Sequence, residues 1–326
     1  MVVEVLMVTF VTCISLFLIA KGSDWATDSL LPVAKQLGTT KIAVALVLVS
    51  IMVSLPEIIV ALYSSFLGHI DISLGVIVGS VIVNIGLMTG LSAMIKPLRI
   101  TRTLILRDGI FAVCIAIMVL VLSADLQITR SEGAAFILIF IPYLINVWEQ
   151  EKNAHEKEKQ RELKEVELEL NLWVLGRAKA GLYTFFIGMV LLLVGSYLFT
   201  WALISIGKLT GISDLLIGLT IGAIGPSIPN IISAVQGTLK GIEYAAVSET
   251  LGSDIFTLLV TLGILSMISP ITLSSQWLRF DIPVMVAMST LLLFFMVRSS
   301  VISRFEGSIL LFAYILTLAI NITLHI

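Results

Sequence analysis

Ten stretches of roughly twenty mostly apolar residues follow one another along this chain of 326 residues. They lie near 4–21, 42–66, 72–95, 104–124, 132–149, 180–203, 212–237, 244–268, 281–297 and 306–325. One such run could be a buried core helix. Ten in series, parted by short polar breaks, have no counterpart in a soluble domain of this size, whose interior is too small to hide them. A bilayer takes a helix of about 20 apolar residues per crossing. The expectation is an all-α integral membrane protein with ten transmembrane helices. Composition agrees, with 58% hydrophobic residues, 13% charged residues and a mean hydropathy of +1.08. The first run shows no cleavage pattern and reads as a retained span. Cys13 and Cys114 sit inside apolar runs and read as inert reduced thiols.

The cationic residues set an orientation. Seventeen of the 20 Lys and Arg residues fall in one set of alternate loops. Only Arg130, Lys208 and Arg279 fall in the other. The rich side is expected to be cytoplasmic, in a cell membrane, with both termini outside. The single long hydrophilic stretch, "EQEKNAHEKEKQRELKEVELEL" (149–170), reads as a solvated cytoplasmic connector. The expected organisation is a first five-span repeat at 1–148, a charged linker at 149–179 and a second five-span repeat at 180–326.

The two halves repeat at a constant offset of 173 residues. "SLPE" (54–57) returns as "SIPN" (227–230), and Gly22-Ser23 as Gly195-Ser196. Lys35, Gly38, Gly68, Gly79-Ser80 and Gly90 match Lys208, Gly211, Gly241, Gly252-Ser253 and Gly263. Apolar letters match by chance; Gly, Ser, Pro and Lys at one fixed offset rarely do. The copies are five spans apart. Five is odd, so the second copy is inserted upside down. Inverted-topology repeats characterise secondary transporters, whose substrate site lies near the midplane where the repeats meet.

Proline removes a backbone donor and displaces the carbonyl four residues earlier. Pro56 should free the carbonyl of Met52 and loosen that of Val53; Pro229 and Pro226 should free Gly225 and Gly222. Free carbonyls are costly in lipid unless something satisfies them. A hard cation can, since it takes carbonyl, hydroxyl and carboxylate oxygens. Ser54 and Ser227 set hydroxyls beside the breaks, and Glu57 adds negative charge. An acid inside a membrane is expensive and functional by default. In the following spans Ser80 and Asn84 share one helix face, and Glu249, Ser253 and Thr257 share another, with Asp254 one step round.

These residues resemble the cation/calcium exchanger superfamily, best known for sodium/calcium exchangers. "SLPE" (54–57), "GSVIVNIGL" (79–87), "GISDLLIG" (211–218) and "GSDW" (22–25) carry the resemblance, which covers essentially the whole chain. It implies cation antiport by alternating access, with spans 1 and 6 moving across a central site. It implies Glu57 as the ion carboxylate of the first repeat, with ligands from Ser54, Ser80, Asn84 and the backbone carbonyls of Ser50 and Val53. In the second repeat it implies Ser227, Ser253 and Thr257, and it sets Asn230 where the family has a second glutamate. With one carboxylate Ca²⁺ would keep uncompensated charge in a low dielectric. Either Asp254 or Glu249 compensates, or the transported ion differs.

The leading expectation is therefore a transporter rather than an enzyme, exchanging Ca²⁺ against Na⁺ or H⁺. Its partners would be inorganic cations and the lipid bilayer, with no nucleic acid and no cofactor. A cation/proton or other monovalent or divalent cation exchanger is the alternative that Asn230 favours. An intramembrane aspartyl protease using Asp24 and Asp254, or a non-transporting homologue, is the remote one.

Overall fold

The computed structural model describes residues 2–36, 42–153, 181–241 and 243–325. Residues 154–179 of the expected linker lie outside this set, as do Lys41 and the side chains of Lys35 and Ser50. Among the described residues ten helices dominate. They are α1 (Val2–Gln36), α2 (Ile42–Phe66), α3 (Ile70–Ile95), α4 (Arg102–Asp125) and α5 (Arg130–Asn153), then α6 (Leu182–Thr210), α7 (Asp214–Leu239), α8 (Glu243–Phe256, continuing to Ile268), α9 (Trp277–Ser299) and α10 (Arg304–His325). Among the described residues, nine are long and apolar enough to cross a membrane; α2, 25 residues long, counts as a shorter apolar helix over Met52–Phe66.

Two helices outrun their expected bounds. Span 1 was expected to end at residue 21, yet α1 continues to Gln36 and its apolar span to Ser29. The polar text Lys21–Asp24 reads as a stop but is interior. Gly22 presses on α6, where an added Cβ would lie 2.6 Å from the Leu192 nitrogen and 2.7 Å from the Gly188 carbonyl oxygen. Lys21 lays its ammonium over the Trp25 ring, 5.2 Å from the centroid. Span 6 likewise runs to Thr210 rather than 203 and stops at Gly211, whose φ of +75° makes a left-handed cap. Cys13 and Cys114 lie exposed on the helix surfaces, both as free thiols.

Four two-residue strands fix how the halves interlock. β1 (Leu98–Arg99), between α3 and α4, pairs with β4 (Val301–Ile302), between α9 and α10. β2 (Gln127–Ile128), between α4 and α5, pairs with β3 (Ile271–Thr272), between α8 and α9. The two ladders therefore sit at opposite ends of α4. The α8–α9 loop is the counterpart of the α3–α4 loop, but it lies at the other end. That is the inversion expected from the odd span count, seen as geometry. Each ladder gains a flanking bond, Ile100 N–H to the Ser300 carbonyl at 2.8 Å and Leu273 N–H to the Leu126 carbonyl at 2.9 Å.

Finer features recur at almost the same offset. Gly68 and Gly241 both turn the chain with positive φ, and so do the non-glycine pair Leu126 and Ser300. Short π-helical turns open at Asn84 in α3 and Thr257 in α8, and at Ile105 in α4 and Trp277 in α9. α5 and α10 start with the same capping box. Glu132 accepts from the Thr129 backbone N–H at 2.7 Å, and Glu306 from the Ser303 backbone N–H at 2.8 Å. At the centre α3 crosses α7 backbone to backbone: a Cβ on Gly75 would lie 2.5 Å from the Gly218 Cα. Small residues bring the two site-bearing repeats together.

Candidate functional site

The prolines lie inside α2 (Pro56) and α7 (Pro226, Pro229), and both helices run on through them. Each presents its polar residues to the other repeat. Glu57 is 1% exposed. Its Oε1 accepts from the Ser227 hydroxyl at 2.9 Å and from the Asn230 amide at 3.2 Å, both donors coming from α7. Asn230 Nδ2 also donates to the Val53 carbonyl at 3.3 Å. One of the carbonyls expected to be loosened by Pro56 is thus accessible to a side chain of the opposite repeat.

A second set of contacts joins α2 and α3 to α8. The Ser54 hydroxyl donates to Ser253 Oγ at 3.0 Å. Asn84 Nδ2 donates to Asp254 Oδ1 at 3.0 Å and reaches Ser253 Oγ at 3.5 Å. Asp254 is 2% exposed. Asn84 and Thr257 open the two π turns, where the hydrogen-bond ladder is offset and carbonyls are freed. Accordingly the Asn84 carbonyl lies 3.4 Å from the Thr250 hydroxyl, itself 2.7 Å from Thr89 Oγ1. Three buried oxygens of this region, Glu57 Oε2, Asn84 Oδ1 and Thr257 Oγ1, make no hydrogen bond among the described residues. Buried oxygens in that condition are what a dehydrated cation needs.

The structure thus gathers Glu57, Ser54, Val53, Asn84, Ser227, Asn230, Ser253 and Asp254 by direct contact. Ser80 is buried nearby but gives its proton to the Ile77 carbonyl of its own helix at 3.0 Å, leaving only its lone pairs. Glu249 is half-buried, one helical turn before Ser253. Ser50 lies in α2, with its side chain outside the described set.

Sequence reasoning passed over other buried acids. Asp108 is held by the neighbouring Arg107 guanidinium in a two-point contact, 2.8 Å on each oxygen, and by the Tyr143 hydroxyl at 3.1 Å. Its counterpart Asp281 is fully buried, and neither of its carboxylate oxygens makes a hydrogen bond among the described residues. The offset of 173 between the two aspartates was the available signal. On the opposite face from the β1–β4 ladder, His69 meets Asp214 at 2.6 Å and Trp277 donates to Asp71 at 2.9 Å.

A family model described as sodium/calcium exchanger protein matches residues 7–148 and again 180–323. The chain belongs to the sodium/calcium exchanger family. As a family member it is a multi-pass membrane protein and a cation antiporter, which sets aside the protease reading of Asp24 and Asp254. This exchanger is 30% identical to a protein named as antiporter CaxA of Alkalimonas amylolytica, over 95% of this chain and 97% of that one. It is 26% identical to the sodium/calcium exchanger MaX1 of Methanosarcina acetivorans, over 94% and 96% of the two chains. Its fold is similar to the solved sodium-calcium exchanger NCX_Mj, with a TM-score of 0.67 and 26% identity over 98% of this chain and 99% of that one.

Proposed function

We propose that this exchanger moves Ca²⁺ against Na⁺ by alternating access, with Glu57 and Asp254 as the paired carboxylates of one central site. The observation that carries the reading is the exchange of hydrogen bonds between repeats: Glu57 of the first repeat is held by Ser227 and Asn230 of the second. Asp254 of the second is held by Asn84 of the first. Each half supplies one acid, so the charge missing at Asn230 is made up from α8 at Asp254 rather than at Glu249. Ser54, Ser253 and Thr257 hydroxyls, the Asn84 side-chain oxygen and the Ser50 carbonyl complete an oxygen-rich set suited to a hard cation; the Val53 carbonyl, expected as a ligand, is taken by the Asn230 amide. Ca²⁺ and Na⁺ compete for these ligands, and that competition couples the fluxes.

The same division of labour supports repeats at 1–148 and 180–326, which the two separate family matches follow. It supports a cytoplasmic 149–179 linker with both termini outside, in line with the skewed Lys and Arg count. Proton coupling is the second reading, favoured by the amide at 230. Purified protein in liposomes separates them. Uptake of ⁴⁵Ca²⁺ driven by an imposed Na⁺ gradient is expected. Uptake driven by a pH gradient alone would move the assignment to proton exchange, and no gradient-driven uptake of any divalent cation would defeat both.

A further inference from the structure

We propose that the Asn230 amide is a tethered stand-in for a cation. Its nitrogen fills the corner of the site between Glu57 Oε1 and the Val53 carbonyl, and transported cations bind beside that corner rather than in it. The inference rests on the central site proposed above and goes beyond it to the number of ions the site holds.

The chemistry of the partners fixes which end of the amide faces the corner. Asn230 Nδ2 is 3.2 Å from a carboxylate oxygen and 3.3 Å from a backbone carbonyl oxygen. Both partners are acceptors, so the amide oxygen cannot take that place without opposing them. The NH₂ group has two hydrogens and meets two acceptors, and the residue is 2% exposed. The same Oε1 also takes the Ser227 hydroxyl proton at 2.9 Å. One oxygen of Glu57 is therefore committed to donors from α7, while the other, Oε2, makes no hydrogen bond among the described residues. Asn84 Oδ1 and Thr257 Oγ1 share that condition. The acceptor capacity left open is thus on Glu57 Oε2, Asn84 Oδ1 and Thr257 Oγ1 rather than on the Oε1 that Asn230 holds.

A carboxylate at position 230 would reverse this. It would have no proton to give to Glu57 Oε1 or to the Val53 carbonyl, and three oxygens would converge. Such a corner needs a cation or a shared proton in it. The amide does with two N–H groups what a bound monovalent ion would do there. The exchange of Glu for Asn in the second repeat thus alters how many cations a cycle carries, in addition to any change in affinity.

The test uses the full-length protein. In liposomes, the ratio of ²²Na⁺ to ⁴⁵Ca²⁺ flux is compared between wild type and the near-isosteric Asn230→Asp. Asp is expected to open the corner, raising the ratio by about one Na⁺ per Ca²⁺ and steepening the Na⁺ dependence. An unchanged ratio in active Asn230→Asp would show that the amide takes no cation's place and would overturn the proposal. Wild-type crystals soaked in Tl⁺ give a reading that needs no variant. Anomalous density against Glu57 Oε2 with none in the Oε1–Val53 corner supports the proposal. Density in the corner, or none against Glu57 at all, overturns it. If wild type moves no Ca²⁺ in a Na⁺ gradient, the proposed function fails, and the Tl⁺ result still decides the corner.

Discussion

Ser54 and Ser253, 199 positions apart, share a buried hydroxyl–hydroxyl hydrogen bond of 3.0 Å. Ser54 lies two residues before Pro56 in α2, and Ser253 directly precedes Asp254 in α8. The bond ties the first repeat's proline-bearing helix to the second repeat's Asp254-bearing helix. Together with the Ser227–Glu57 bond it places each repeat's hydroxyl on the other's functional helix. The centre of the molecule is held together by polar contacts that cross between halves.

Glu57→Gln keeps the shape and removes the charge. Its amide oxygen can still accept from Ser227 or Asn230, so the fold is expected to survive, as judged by monodisperse protein in detergent. Ca²⁺-driven stabilisation should vanish: wild type gains about 2.7 kcal/mol at a ligand concentration 100 times the dissociation constant. A Gln variant whose melting temperature still rises with Ca²⁺ would remove Glu57 from the site.

Asp254 and Glu249 separate in the same assay. Asp254→Asn is expected to lower Ca²⁺ affinity by about a hundredfold, equivalent to about 2.7 kcal/mol, because a paired carboxylate at a divalent ion is lost. Glu249→Gln, half-buried and a turn away, should change it less than about threefold. The reverse ranking would transfer the second acid to Glu249.

Equivalent aspartates should respond with opposite signs. Asp108→Asn strips the Arg107 guanidinium of its charged partner and is expected to cost about 1.5–3 kcal/mol. Asp281→Asn replaces a fully buried acid that has no cationic partner among the described residues with a neutral isostere, so it should be neutral or stabilising. Thermal unfolding of the two variants side by side is the check.

Gly22→Ala tests the α1–α6 contact. The new methyl would lie 2.6 Å from a backbone nitrogen and 2.7 Å from a backbone oxygen, so the helices must part. A cost of about 1–3 kcal/mol is expected. If these two helices move against the rest during transport, the maximal rate should fall more than the apparent Ca²⁺ affinity. A change in affinity alone would mean a static contact.

Glu132→Ala and Glu306→Ala each remove one capping box and should cost about 1 kcal/mol. The boxes head different helices and share no partner, so the double variant should be additive within about 0.5 kcal/mol. Unfolding in detergent measures this directly.

Much of the fold was legible because hydropathy and lysine placement act residue by residue. The ten helices, the inversion and the Gly68/Gly241 turn pair follow from such local signals. The ends of α1 and α6 were not legible. Lys21 and Asp24 look like a polar stop until Gly22 is seen to be buried against α6, and that depends on a helix more than 160 residues away. At the candidate site, charge, proline and helical spacing mark Glu57, Ser54 and Asn84, and the structure gathers these residues with partners from the second repeat. Spacing does not separate Asp254 from Glu249; in the structure Asp254 is buried against Asn84, whereas Glu249 is half-buried one turn before Ser253. Ser80 shared the right face yet turns its proton to its own backbone. No spacing rule foretells that choice.

The two crossed ladders carry a lesson about assembly. β1 has its partner more than 200 residues downstream, so its edge closes only after the last helical hairpin, α9–α10, has entered the bilayer. A first half made alone would present β1 at one end and β2 at the other, each lacking its mate. The shape that satisfies both at once is a second half inserted in the opposite sense. Severed between the repeats, the two pieces should therefore seek each other out and re-form the whole. A lone half would find the same satisfaction in an inverted copy of itself.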